Sequence, residues 1–178
     1  MSQTLHFRTA HQGDIPRLLT LINTAYQALV HEPWAEEIGM PDEPRATVES
    51  LRSDLARTDG RIVVGEQDGH LVVCAWLGEE EDGAGYFGMF AVDPDCQGQG
   101  LGKKMLDEAV RWHAAAGRHA IRLGVIRPRR ELMAWYNRQG FEYTGDSSSF
   151  DPGAGHAPVP LDVMEMPLAK SRHQACYC

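Results

Sequence analysis

Three glycines at alternate positions, Gly98, Gly100 and Gly102, lie in the segment Gln97-Gly-Gln-Gly-Leu-Gly-Lys103, between an apolar run and a stretch with helical spacing. Glycine takes positive φ without steric cost and lets the main chain approach a ligand closely. At a helix start, successive main-chain N–H groups converge on one point, and the helix dipole adds positive potential there. Such a turn suits a phosphate or pyrophosphate. Lys103 and Lys104 add charge beside it. A P-loop would need Gly five residues before the Gly102-Lys103 pair and Ser or Thr after the lysine; Gln97 and Lys104 stand there. The dinucleotide fingerprint would need Gly three residues after Gly100, where Lys103 stands. The pattern that is met is Gln-x-x-Gly-x-Gly, at Gln97, Gly100 and Gly102.

Other reactive side chains offer less. Cys96 adjoins the glycine turn, but a nucleophilic role needs a base partner that the sequence does not supply. Cys74 lies within the apolar run Leu71–Leu77 and reads as core. Cys176 and Cys178 make neither a disulfide framework nor a metal site, and the eight histidines form no set at metal-ligand spacing. No metal is expected. Arg127, Arg129 and Arg130 form a basic cluster that either reaches a phosphate or is a solvated face.

The elements that must carry these residues follow from periodicity. Thr4–Thr9 reads as a strand. Asp14 is expected to cap a helix with Ile15, Leu18, Leu19, Ile22 and Tyr26 at helical spacing. His31–Pro44 reads as a loop, and Val48, Leu51 and Leu55 mark a second helix. Arg61–Glu66 and Leu71–Leu77 form a hairpin across Gln67-Asp68-Gly69. The turn Gly78–Gly85 leads to a strand over Tyr86–Val92. The helix with Leu101, Met105, Leu106, Ala109, Val110 and Trp112 follows the glycine turn. Ile121, Leu123 and Val125 alternate as a strand, and Leu132–Gln139 is a short helix ended by Gly140. Phe141–Thr144 begins a strand, Ser147–Pro160 is a loop, and Leu161–Leu168 is the last strand. The order implies an α/β fold with a mixed sheet and helices on both faces.

In these features the chain resembles the GNAT superfamily of N-acetyltransferases. Phe90-Ala-Val-Asp-Pro94 looks like that family's fourth strand and its exit, and Tyr136-Asn-Arg-Gln-Gly-Phe141 is similar to its later Tyr-x-x-x-Gly-Phe element. The order of elements matches from about Leu5 to Leu168. The resemblance implies a single-domain, mostly antiparallel mixed sheet in which strands four and five splay apart. It implies acetyl-CoA as donor substrate. The pantetheine arm would pair with the main chain of Phe90, Ala91 and Val92, and the pyrophosphate would meet the amides of Gln97, Gly98, Gln99, Gly100, Leu101, Gly102 and Lys103. A main-chain N–H near Met89 to Ala91 would stabilise the oxyanion. Tyr136 matches the tyrosine that protonates the leaving thiolate. A phenol with pKa near ~10 keeps its proton at neutral pH and can donate it.

Two positions depart from the pattern. Many members carry Glu eleven residues before the motif Gln; here Tyr86 stands there. A phenol is a poor base at pH 7, so the amine is expected to lose its proton to solvent or to a carboxylate acting through water. Where a coenzyme-binding Asn is frequent, the chain has Arg129. The acceptor cavity is expected between Tyr26–Arg45 and Ser147–Pro160, and the acceptor to be a primary amine of a small molecule or peptide. The acids Glu32, Glu36, Glu37, Asp42, Glu43 and Glu79–Asp82 favour a cationic acceptor, whereas Arg45 is suited to clamping a carboxylate. Another acyl-CoA donor, or coenzyme A binding without turnover, are the alternatives.

Bulk properties narrow the class. The chain has 178 residues, 43% hydrophobic and 24% charged, with a formal net charge of −8. This suits one soluble domain over residues 1–169, with a disordered tail over 170–178. The negative charge repels nucleic-acid phosphates and anionic membranes, so neither is expected as a partner; a homodimer is compatible with it. The N-terminus has no signal-peptide pattern and no apolar run nears ~20 residues, so a cytoplasmic protein is expected.

Overall fold

The computed structural model describes residues 4–40, 42–151 and 157–169. Its strands are β1 (His6–Thr9), β2 (Gly60–Gln67), β3 (His70–Glu79), β4 (Gly85–Val92), β5 (Ala120–Ile126), β6 (Glu142–Phe150) and β7 (Val159–Pro167). Its helices are α1 (Ile15–Val30), α2 (Pro33–Glu37), α3 (Val48–Ala56), α4 (Leu101–Ala115) and α5 (Arg130–Arg138), with 3-10 turns at Gln12–Asp14 and Pro94–Cys96. The strands form one sheet in the order β1-β2-β3-β4-β5-β7-β6. Every neighbouring pair is antiparallel except β4 and β5. The expected mixed, mostly antiparallel sheet is therefore present.

Alternation along the central strands splits the core in two. Val63, Val73, Ala75, Leu77, Phe87, Ile121 and Leu123 face Leu101, Met105, Leu106 and Ala109 of α4, and Tyr136 of α5. Ile62, Val64, Cys74 and Trp76 face Ile15, Leu18, Leu21 and Ile22 of α1, and Leu51 of α3. Side chains that alternate across a pleat must be covered on both faces. Burial of these side chains, each worth about 1.5–3 kcal/mol, holds the helices in place. The β2–β3 hairpin closes at Asp68 (φ 49°) and Gly69 (φ 81°), both left-handed, which matches strand twist. α5 ends as expected at Gly140 (φ 100°), with the Phe141 N–H donating to the Tyr136 carbonyl.

Several expectations need correction. Asp14 does not cap α1 with its side chain. Its buried carboxylate accepts from the His11 N–H and pairs with Arg8 (2.7 Å) and Arg17 (2.5 Å), which hold it well below the usual carboxylate range. The segment 31–44 contains α2, started by Pro33, whose fixed φ and missing N–H suit a first helical turn. β1 starts at His6 rather than Thr4. Ser147–Phe150 is strand rather than loop, in register with Asp162–Val159 of β7. This edge strand is solvent-exposed along nearly its whole length, so its main-chain ladder forms without an apolar pattern. The irregularity between Tyr143 and Ser147, with Gly145 at φ 89°, bends it. The centre of the predicted loop, and the tail with Cys176 and Cys178, lie outside the described residues. No helix among the described residues is long and apolar enough to cross a membrane.

Candidate active site

β4 and β5 pair at only two positions, Gly85 with Ile121 and Tyr86 with Arg122, and then part. The cause lies in β4. Met89 takes φ 47°, rare for a residue with a side chain. On the β3 side, Trp76 opposes Gly88 and Cys74 opposes Ala91, so three steps of β4 match two of β3. This bulge turns β4 away from β5, while its ladder with β3 resumes at Ala91 and Val92. The main chain of Phe90, Ala91 and Val92 is left without a strand partner on the β5 side among the described residues. A cavity of about 320 Å³ fills the gap. Phe87–Val92, Gln97, Leu123–Ile126, Arg129, Leu132 and Tyr136 line it, together with Tyr26, Leu29, Met40, Arg45, Tyr86 and Phe150.

The glycine turn closes one end. Asp93 accepts from the Asp95 N–H (3.0 Å) and starts the 3-10 turn that delivers the chain to Gln97. Gly98 (φ 79°) and Gly100 (φ 74°) are left-handed, and a Cβ on either would meet no protein atom within 4 Å. The space above them is open. Gly100 begins α4 with no side-chain cap, so the first-turn amides of Leu101, Gly102 and Lys103 have no capping side chain. Gly102 serves packing: a Cβ there would come 3.2 Å from the Phe90 ring. The Lys103 ammonium does not face this space but pairs with Asp107 at 2.8 Å. It adds a main-chain amide to the turn and little net charge.

Tyr136 enters the cavity from α5, buried among Trp135 (4.9 Å between centroids) and Phe141 (5.5 Å). Burial pushes its hydroxyl well above the ordinary range, opposed by Arg129 and reinforced by Tyr86. It keeps its proton at neutral pH. Arg129 precedes α5, half-buried, with its guanidinium 5.0 Å from the centre of the Trp34 ring. The basic cluster thus divides: Arg129 lines the cavity, while Arg127 is tied to Asp162 and Ser147 (both 2.9 Å).

Tyr86 stands at the other end. Burial raises its pKa, Glu80 adds to this, and Arg45 and Arg57 oppose it. The phenol is therefore neutral and no base at pH 7. The acids at the β3–β4 turn also divide. Glu79 grips Arg118 with both oxygens (2.6 Å each), and Asp82 pairs with Arg122 (2.7 Å). Glu80 makes no ion pair among the described residues; it is half-buried and lines a second cavity of about 520 Å³ that shares Tyr86, Leu123, Gly124 and Leu161 with the first. Glu32, Glu36, Glu37, Asp42 and Glu43 are exposed and line neither cavity.

The two cysteines among the described residues, Cys74 and Cys96, are not activated as nucleophiles. Burial pushes the Cys74 thiol up to about 12, and burial, Asp93 and Asp95 raise that of Cys96. Met40 and Phe150 line the cavity and Trp34 stacks on Arg129; all three fall within the segments expected to border the acceptor, Tyr26–Arg45 and Ser147–Pro160, although none was singled out, because they have no chemical signature. His113 was missed as well. It is buried in α4, neither ring nitrogen makes a hydrogen bond among the described residues, and a Cβ at Gly85 would strike its ring at 2.4 Å. Burial lowers its pKa to about 4, the Arg118 charge adds to this, and the nearby Tyr86 main chain opposes it without hydrogen-bond geometry.

Residues 22–141 match the acetyltransferase (GNAT) family. A mycothiol acetyltransferase of Propionibacterium freudenreichii subsp. shermanii is 27% identical over 176 residues, 95% of this chain and 47% of that protein. The chain thus spans less than half of that relative. An IAA acetyltransferase of Azospirillum brasilense is 33% identical over 118 residues, 64% of this chain and 72% of that protein. Among solved structures, the PaiA N-acetyltransferase of Thermoplasma acidophilum in complex with coenzyme A superposes with a TM-score of 0.70 at 17% identity, covering 92% of this chain and 99% of that one.

Proposed function

The chain belongs to the acetyltransferase (GNAT) family, and we propose from this that it moves an acetyl group from acetyl-CoA to a primary amine of a small molecule or peptide. The observation that carries the proposal is the opened β4–β5 seam, where an unpaired strand edge runs directly into an uncapped glycine turn. An extended pantetheine would complete the edge at Phe90, Ala91 and Val92 as an added strand. The amides from Gln97 to Lys103, including Gly98, Gln99, Gly100, Leu101 and Gly102, would donate to the pyrophosphate. The residues fit such a group: the left-handed glycines leave open space, and the first-turn amides lack a cap. Arg129 adds the cavity's second positive charge. The coenzyme supplies an activated thioester.

The chain's own groups do the rest. The cleft holds amine and thioester together, which removes much of the entropic barrier. A main-chain N–H near the Met89–Ala91 bulge would stabilise charge on the carbonyl oxygen. The Tyr136 hydroxyl gives its proton to the departing thiolate sulfur. Tyr86 cannot accept the amine proton; water takes it, and of the carboxylates lining the adjoining cavity, Glu80, Asp146 and Glu165, Glu80 is the one that acts on Tyr86 and would receive it. Release of free coenzyme A from acetyl-CoA, measured over polyamines, amino acids, aminoglycosides and short peptides, tests this. Amine-dependent release supports acetyl transfer. Binding of acetyl-CoA with no release on any acceptor would leave a coenzyme-binding module, and faster release from a longer acyl-CoA would replace the donor.

A further inference from the structure

The acceptor end of the cavity is lined by one exposed guanidinium, that of Arg45, and by no carboxylate among the described residues. Arg45 makes no hydrogen bond and no ion pair among the described residues; its only contact of that kind is with the Phe150 ring, 4.6 Å to the centroid. Its main chain is anchored next door, where Ala46 is tied to the Asn23 side chain by two hydrogen bonds, 2.8 and 3.0 Å. Asp54 lies within its electrostatic reach, but the ion pair of Asp54 is with Arg57 at 4.0 Å. A donor phosphate is not its partner either. Arg45 stands near Tyr86, and six β-residues at ~3.3 Å each separate Tyr86 from Val92 and the glycine turn by roughly 20 Å.

Arg45 stacks on Phe150 and acts on Tyr26, and the cavity it lines also carries Leu29, Met40 and Leu161. No carboxylate lines this cavity, whose charged residues are Arg45 and Arg129. The second cavity, which shares Tyr86 with this one, is lined by Glu80, Asp146 and Glu165, the last paired with Arg122. Tyr86 feels both signs of charge, Glu80 on the one hand and Arg45 and Arg57 on the other. Given acetyl transfer as proposed above, on which this inference rests, we propose that the acceptor is a free α-amino acid with an apolar side chain, its carboxylate held by Arg45 and its amine directed past Tyr86 toward the thioester. A planar guanidinium matches a carboxylate in two parallel hydrogen bonds. The aromatic and aliphatic wall takes the side chain, and the Glu80 side favours the ammonium. The exposed acids of the first loop line neither cavity, and Glu32, whose charge reaches into the first cavity, acts on Arg129 rather than on Arg45.

The test pairs each of several apolar L-amino acids with the amine that lacks only its carboxylate: phenylalanine with phenethylamine, methionine with 3-(methylthio)propylamine. Coenzyme A release from acetyl-CoA is followed for the full chain. The carboxylate-bearing member should be favoured in kcat/KM by about 10²-fold, the size expected of a charge-assisted bidentate contact. In Arg45→Met this ratio should fall toward one, and in Arg45→Lys it should be intermediate. Retention of the acetyl-CoA-induced Tm shift verifies that both variants fold. Equal or better use of the decarboxylated amines, or a ratio unmoved by Arg45→Met, overturns the proposal while the turnover itself upholds acetyl transfer. Acetyl-CoA binding without turnover of any pair also overturns it and leaves the donor site standing. Absence of both binding and turnover sinks the acetyl-transfer reading together with it.

Discussion

At its Val92 end the cleft is walled by main chain: the bulged edge of β4, two left-handed glycines and the first amides of α4. At its Tyr86 end it is walled by side chains from α1, the segment before α3, β4 and β6, namely Tyr26, Arg45, Tyr86 and Phe150. The first end is made by one continuous stretch of about fifteen residues. The second exists only because separate segments meet. Main-chain sites tolerate most side-chain changes and fail when a φ angle is denied. Side-chain sites change their preference with one residue and keep their scaffold.

The largest effect should come from denying a φ angle. Gly100 sits at φ 74° with open space around its missing Cβ, so Gly100→Val acts through strain on the turn and through crowding of whatever binds there. A β-branched residue in that region costs about 1–3 kcal/mol, and acetyl-CoA affinity should drop at least ~10²-fold, abolishing the ligand-induced Tm shift. A folded Gly100→Val protein with unchanged affinity would remove the pyrophosphate from the glycine turn and with it the contrast between the two ends.

His113 lies beneath the start of β4, where β4 and β5 still pair, and it ties the root of the cleft to pH. Its folded-state pKa is about 4 against 6.5 when unfolded. Between those values the unfolded chain holds the extra proton, so stability rises with pH across the window and is lost as pH falls from 6.5 to 4. The full loss is about 3 kcal/mol at ~1.4 kcal/mol per unit. His113→Phe should flatten this part of the stability–pH curve, read from urea midpoints at pH 7, 5.5 and 4.5. An equally steep curve in the variant would assign the acid sensitivity elsewhere.

Tyr136→Phe deletes a single hydroxyl from a packed ring. If that hydroxyl donates to the thiolate, kcat should fall by roughly 10²-fold, or ~2.7 kcal/mol, with acetyl-CoA affinity nearly constant. Unaltered kcat when chemistry limits the rate would leave Tyr136 as packing between Trp135 and Phe141. The smallest effect belongs to Tyr86→Phe, expected within about threefold of the parent, because a raised phenol pKa gives no base to lose. The rate should climb with pH toward the amine's own pKa. A collapse of activity in Tyr86→Phe would give the phenol a chemical role and make the acceptor end more than a surface of recognition.

Local requirements made the glycine-turn end of the cleft readable in advance. Glycines 98, 100 and 102 announce left-handed turns and close packing wherever they fold, and the glycine after Gln139 announces the end of α5. The hairpin at Asp68-Gly69 and the spacing of Leu101, Met105, Leu106 and Ala109 were equally local. Other features depended on partners. Ser147–Phe150 has no strand pattern and is a strand because β7 offers its main chain. Asp14 has the look of a helix cap but is drawn away by Arg8 and Arg17. Lys103 reads as a phosphate ligand until Asp107, one turn along α4, takes its charge.

The sequence alone therefore determined the glycine turn, the helices and hairpin with their buried faces, and the position of Tyr136 after its strand, because each is dictated by φ angles and periodicities within a few residues. Only the tertiary structure decided that β4 bulges at Met89 and leaves β5, that Glu80 rather than Glu79 or Asp82 lines the cavity adjoining the cleft, and that Arg45 stands beside Phe150. Those outcomes depend on which charges and ring faces come within a few ångströms of each other across intervals as long as the 105 residues between Arg45 and Phe150. No local rule of spacing reaches that far.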